Sequence, residues 1–302
     1  MPKISTVTKK SEEAFYFDRI KKGQSLHRLS TITSLGFFTP PAGVTFDRAT
    51  AYRDLSAAYA LCYRIFLDNG YIEPNFMGTR VRDWELHDQT ATFVARADKR
   101  VIGVSSLAAD IPGKGLPTEW LYPQEMAEVR RFSGVFAEVC NGALEKAYRQ
   151  SSIPLELFRC MLAGAWQGGV DKLIAVINRT HRTFYELCYA IQIGGEKNYA
   201  ADRYDPVILM YMDCNVLHRY LSSPESDNNT ADGFLRRYLL FDNPYLPRAP
   251  GWNRRARAAF RRQRITDRFL DDIRNTLVES VFPGDLPERG NKRRPARSFS
   301  RN

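Results

Sequence analysis

Apolar positions change period along the chain, and the changes divide it into elements. Val44 to Thr50 alternates and predicts a first strand. Across residues 51–72, Leu55, Ala58/Tyr59, Cys62 and Ile65/Phe66 recur at helical spacing, and Gly70 sits where a C-terminal cap belongs. Phe76 to Asp88 is polar and loop-like. The runs TATFVARAD (90–98) and RVIGVSSLAAD (100–110) predict two strands of an antiparallel hairpin turned at Asp98-Lys99. Pro112, Gly113, Gly115 and Pro117 make the next stretch a loop, and a short polar segment follows it. Residues 133–149 read as a strand, a turn and a helix start. In 151–170 Ser152 suits a cap, Pro154 a first turn, and Leu157, Met161 and Ala165 recur every fourth residue up to Gly168-Gly169. LIAVIN (173–178) reads as a buried strand, 179–191 as a helix stopped by Gly194-Gly195, PVILMYMD (206–213) as an apolar strand and 215–223 as a helix. Residues 44–221 therefore predict an α/β or α+β domain, a sheet with helices packed on it, between an N-terminal arm (1–43) and a C-terminal extension (222–302).

One residue breaks the apolar pattern at its centre. In the strand around 136–141 alternate side chains point to opposite faces, so Phe136, Glu138 and Cys140 share one face and Ala137, Val139 and Asn141 the other. A carboxylate amid apolar neighbours is costly to bury without a partner. Glu138 is therefore either one half of a structural ion pair or a base or anchor in a cleft.

Composition narrows the class. The 302 residues are 44% hydrophobic and 12% aromatic, enough for a globular core, and no apolar run is long enough to span a bilayer. The opening MPKISTVTKKSEE has no apolar stretch behind its lysines, so a signal peptide is not expected. Five scattered cysteines without a CxxC, and four histidines far apart in sequence, argue against a zinc site and for reduced thiols in a cytoplasmic protein. The net charge of +10 is concentrated at one end: Arg248 to Asn302 carries fifteen Lys/Arg against six Asp/Glu, leaving about +1 for the rest. That extension predicts an amphipathic helix through Ile265, Phe269, Ile273, Leu277 and Val281, and a disordered end. Its charge suits an acidic protein, an anionic membrane or nucleic acid. Nucleic acid ranks last, since no nucleic-acid-binding motif accompanies it.

Several local motifs carry a family resemblance. LCYRIFLDNGY (61–71), DWELHDQTATFVAR (83–96), AEVCNGALEKAYR (137–149), HRTFYELCYAIQIGGEKNY (181–199) and PVILMYMD (206–213) stand in the order of their counterparts in LuxI-type autoinducer synthases and FeeM-type N-acyl amino acid synthases. The last two resemble the amino-acid-acylating branch. The resemblance covers about 44–215 and implies a GNAT-like acyltransferase fold with a central mixed, mostly antiparallel sheet. It also implies transfer of a long-chain fatty acyl group from acyl carrier protein to the α-amine of an amino acid, without a metal or other cofactor. Two departures matter. Cys140-Asn141 stands where lactone synthases have Ser-Arg, and the span 144–155 lacks the glycines with which coenzyme-A-dependent relatives cradle pyrophosphate. The second departure suits a carrier-protein donor, with Leu144, Lys146, Arg149 and Ser152 along its pantetheine arm.

Forming an amide from a thioester requires a base for the amine, stabilisation of an oxyanion and protonation of the leaving sulfur. The resemblance makes Glu138 the base or the anchor of the amine, directly or through a water, and gives the last task to Tyr185, which is otherwise a core aromatic. His181, one turn before it, reads as structural or capping. Arg64 with Glu85 or Asp88 either positions the acceptor or pins the loop. Cys140 and Asn141 lie by the site; an acyl-cysteine is conceivable, but no histidine neighbours Cys140 in sequence and a structural thiol is the plainer reading. Phe66, Phe93, Leu107 and Phe136 are candidates for an acyl pocket or for plain core. The rival functions are an acyl-homoserine lactone synthase and a silent module that binds carrier protein or membrane.

Overall fold

The computed structural model describes Ala14, Tyr16 and residues 42–199, 205–222 and 231–246, all within one compact unit, Met1–Ile265. The basic stretch from Arg248 onward lies outside the described residues. Strand β1 (Val44–Ala49), helix α1 (Tyr52–Asp68), strands β2 (Ala91–Ala97) and β3 (Arg100–Ala109), helix α2 (Pro123–Val129), strand β4 (Phe136–Leu144) and helix α3 (Ile153–Gly168) lead to β5 (Lys172–Asn178) and helix α4 (Arg182–Leu187). The short strands β6 (Ile191–Gln192) and β7 (Lys197–Asn198) precede β8 (Pro206–Asp213), α5 (Cys214–Ser222), α6 (Ala231–Arg236) and a π-helical turn at Arg237–Phe241. The sheet runs β1-β2-β3-β4-β5-β8-β6, with β7 also on β8. Every pairing is antiparallel except β4 with β5. This is the mixed, mostly antiparallel sheet flanked by helices that the sequence predicts.

Local chemistry explains the boundaries. Asp98 and Lys99 both have positive φ (49° and 66°), the mark of a two-residue type I′ turn whose twist matches the hairpin. Gly70 and Gly169 take left-handed φ values just past α1 and at the end of α3. Ser152 precedes α3 but makes no capping bond; Ser151 Oγ accepts from the Ile153 amide (3.2 Å) instead. Helix α4 is shorter than predicted. A 3₁₀ turn (Arg179–His181) precedes it, and Tyr189 at φ +67° turns the chain well before Gly194-Gly195. The segment read only as polar before β4 forms a 3₁₀ turn (Glu119–Leu121) and α2.

Strand β3 is buried from Val101 to Ala109 because helices cover both faces. Consecutive residues show it. Ser105 Oγ meets Met161 Sδ of α3, while Ser106 joins Thr92 and, through it, Tyr59 of α1. Cross-strand pairs share a face, so Ser106↔Cys140 and Ala108↔Glu138 put Cys140 and Glu138 on the α1 side.

Strands β4 and β5 pair only from Phe136↔Lys172 to Glu138↔Ile174. Beyond that point β5 stays on β8 and β4 on β3, so the sheet opens between them. The 231–246 segment is fastened to α3. Glu156 accepts from the hydroxyls of Tyr238 and Tyr245 (the latter at 2.8 Å) and from Arg159, whose Nη2 also donates to the Asp242 carbonyl. From the N-terminal arm, Tyr16 is fully buried against Tyr211 and donates to the Tyr189 carbonyl at 2.7 Å. Among the described residues no helix is long and apolar enough to cross a membrane, and no cluster of His, Cys, Asp or Glu is arranged to hold a metal ion.

Candidate active site

Glu138 stands at the mouth of the opening, in the last residue pair joining β4 to β5, and is 1% exposed. Its Oε2 accepts the Thr118 amide at 2.9 Å. Burial pushes its carboxyl up to about 7, against the partial relief given by Thr118 and the more distant Arg82. A carboxylate with that affinity can take a proton near neutrality. The loop carrying Thr118 is held by Glu119, which accepts from the Leu116 amide and forms an ion pair with Arg130.

Behind Glu138 lies a buried polar chain that the loop 75–90 brings against α1 and β4. Glu85, fully buried, accepts the Arg82 amide at 2.6 Å and Arg82 Nη2 at 2.7 Å. Burial alone would raise the Glu85 carboxyl, but the charge and hydrogen bonds of Arg82 outweigh it and hold it low. Asn141 Nδ2 also donates to Glu85, at 2.8 Å, and Asn141 Oδ1 accepts from Arg80 Nη1. Arg80 lies 4.7 Å over the Phe66 ring, and its amide bonds the Tyr59 carbonyl of α1.

Asn141 reaches this chain because its backbone is left-handed, φ +53°. The register of β4 against β3 slips there: Ser106 faces Cys140, whereas Val104 faces Ala143. This bulge breaks the predicted alternation and turns Asn141 to the side of Glu138 and Cys140. Cys140 Sγ is 3.9 Å from Glu85 Oε1, and burial pushes its thiol up to about 12, which keeps it protonated and a poor nucleophile.

Tyr185, on α4, packs edge-on to Phe184. Its hydroxyl has no hydrogen-bond partner among the described residues. Burial, with smaller effects from Cys188 and Cys140, raises its pKa, so it remains a proton donor. Tyr199 stacks edge-on to Trp120, ring centroids 6.0 Å apart.

Four sequence-based candidates fall elsewhere. Arg64 does not meet Glu85 or Asp88; it is more than half exposed and pairs with Glu145 at 3.3 Å. Asp88 is exposed beside His87. Phe93 is core, its ring lying on Gly164 of α3 closer than any side chain there would permit. Ser152 is buried at the start of α3. Leu144 is half-buried and its carbonyl accepts from Arg149 Nε (3.1 Å), leaving Lys146 and Arg149 exposed just past β4. Leu107 and Phe136 line a groove of about 200 Å³. Sequence reasoning missed Arg80, Arg82 and Thr118. The alternation Arg80-Val81-Arg82 ahead of an acidic loop was the available signal.

The family model for the N-acyl amino acid synthase FeeM matches residues 57–213, a little over half of the chain. None of the curated proteins is similar enough to match. Among solved structures, FeeM, an N-acyl amino acid synthase from uncultured soil microbes, is 24% identical with a TM-score of 0.50, over 58% of this chain and 93% of its own. The coenzyme-A-dependent acyl-homoserine lactone synthase BjaI is 15% identical over 65% and 100% (TM-score 0.47). An acyl-CoA N-acyltransferase from Pseudomonas aeruginosa is 15% identical over 56% and 97% (TM-score 0.41). The likeness to FeeM gives the fold, GNAT-like, and the family match gives the kinship: this chain belongs to the FeeM family of N-acyl amino acid synthases.

Proposed function

We propose that this N-acyltransferase moves a long-chain fatty acyl group from the thioester of acyl carrier protein to the α-amine of an amino acid. The observation that carries the reading is Glu138: a buried carboxyl with a pKa of about 7 at the point where β4 and β5 part. The amine nitrogen attacks the thioester carbonyl carbon and gives a proton to Glu138. The carbonyl electrons return as the C–S bond breaks, and Tyr185 protonates the departing thiolate. The products are the N-acyl amino acid and the free thiol of the carrier. The edge of β4 beyond Glu138, without a β5 partner, is where backbone N–H groups can meet the oxyanion.

A carrier-protein donor is supported by the glycine-free 3₁₀ connection after β4 (Lys146–Tyr148), with Lys146 and Arg149 exposed for an acidic partner. The five free cysteines suit a cytoplasmic site. The reaction draws on donor and acceptor alone.

The test is mass spectrometry of extracts from bacteria overproducing the wild type or Glu138→Gln, followed by assay with acyl carrier protein and coenzyme A thioesters. The expected result is a ladder of masses two methylenes apart that fragments to one amino acid and is missing from the variant. Homoserine lactone fragments would identify the lactone rival. Wild-type protein that binds acyl carrier protein but turns over neither thioester would make it a silent binding module.

A further inference from the structure

Two arginines and one glutamate are buried together behind Glu138, and only one of the arginines is in direct contact with the carboxylate. Arg82 and Glu85 form a bidentate ion pair, both nearly or fully buried. Arg80 is 9% exposed, and no carboxylate pairs with it among the described residues. Among the described residues its guanidinium hydrogen-bonds a neutral amide oxygen, Asn141 Oδ1, and lies on the face of Phe66. A buried guanidinium bonded only to an amide is costly, because the one carboxylate near it, Glu85, is reached through Asn141 and makes its direct ion pair with Arg82. Its fork of N–H donors matches a carboxylate. Asn141 has no further capacity to help, since its amide nitrogen is committed to Glu85.

Resting on the reading that the acceptor is an amino acid, we propose that Arg80 is the specificity residue that holds the acceptor's α-carboxylate. Three observations support this. Arg80 lies on the α1 side of the sheet, the side to which Glu138 points, through its contacts with Tyr59 and Phe66. Asn141, which fixes the guanidinium, lies three residues along β4 from Glu138, and the bulge at Asn141 turns its side chain to that side. The α-carboxylate is the anion closest to the reacting amine, two bonds away, whereas the phosphate of a carrier-protein donor lies at the far end of the pantetheine arm. Arg64, exposed and paired with Glu145, does not offer such a site. The same arrangement explains why Glu85 stays bound: it neutralises Arg82, so that the net charge left for a ligand is the one on Arg80.

The experiment compares amino acids with their C-terminal amides as acceptors, using the full chain and a fixed acyl carrier protein thioester. For the wild type the amino acid is expected to exceed its amide roughly 100-fold in kcat/KM, the effect of leaving a buried charge unpaired. In Arg80→Gln the amino acid should lose about that factor, mainly through KM, while the amide is little changed, so the preference collapses. Arg80→Lys should restore part of it. The standard amino acids should also raise the Tm of the wild type but not of Arg80→Gln, and the amides should raise neither. Equal loss on both acceptors in Arg80→Gln, or a preserved preference, overturns the assignment. Wild-type enzyme that acylates amines but no amino acid overturns instead the functional reading on which it rests.

Discussion

Glu138 faces Ile174 in the last residue pair that joins β4 to β5. One residue further on the two strands have different partners. The residue with the raised pKa is therefore also the residue at which the sheet opens, so the proposed base is a carboxyl that is already desolvated.

The pH dependence of catalysis should follow from this. The base form of Glu138 accumulates as pH rises through about 7, so kcat/KM should climb with unit slope and level off above it. Glu138→Gln keeps the Thr118 bond but not the base; turnover should fall 10²–10⁴-fold and that limb of the profile should vanish. Steady-state rates from pH 5.5 to 8.5 measure both. A limb that persists in the variant would assign it to the acceptor amine.

Stability should change in the opposite direction. A carboxyl raised on folding costs nothing below the unfolded value near 4.5, where both states are neutral. The cost grows as pH rises towards 7, because the unfolded chain ionises and the folded one does not, and then it is constant. From a shift to about 7 the full penalty is on the order of 3 kcal/mol. Glu138→Gln should therefore match the wild type near pH 4.5 and exceed it at pH 8 in urea denaturation. A variant less stable at pH 8 would contradict the buried, unpaired carboxyl.

Tyr185 gives a third prediction. Its raised pKa and unpartnered hydroxyl suit a donor to the leaving sulfur. Tyr185→Phe should lower kcat about 10- to 100-fold with an alkyl thioester, and much less with an aryl thioester whose thiolate needs no proton. An equal loss with both donors would return Tyr185 to the core.

The fourth concerns Phe93. Its ring fills the space where a Cβ on Gly164 would lie. Gly164→Ala should cost about 1–3 kcal/mol or more by overpacking, despite alanine's better helix propensity. Pairing it with Phe93→Leu should recover part of the loss, read from the two midpoints.

The elements with a period of their own were legible. The helices at 52–68 and 153–168 and the strands at 91–97, 100–109 and 206–213 follow from helical spacing or from short apolar runs bounded by turn residues. Helix α4 was overextended because Tyr189 takes a left-handed turn that no residue-type signal marks. The site was half legible. Glu138 stood out as a charge in an apolar strand, and Glu85 by the resemblance. Arg80 and Arg82 did not, because a polar loop reads as solvated, and only long-range contact with α1 and β4 buries it. Asn141 was placed on the wrong face because strand alternation assumes an unbroken register, and the bulge breaks it there.

The grip of Glu156 on Tyr238 and Tyr245 bears on where this protein can be cut. The segment shared with the family ends at Asp213, yet a chain stopped there would leave Glu156 without those hydroxyls and Arg159 without the Asp242 carbonyl. A piece that keeps these bonds to α3 therefore runs at least to Tyr245, past the end of the stretch that matches the family.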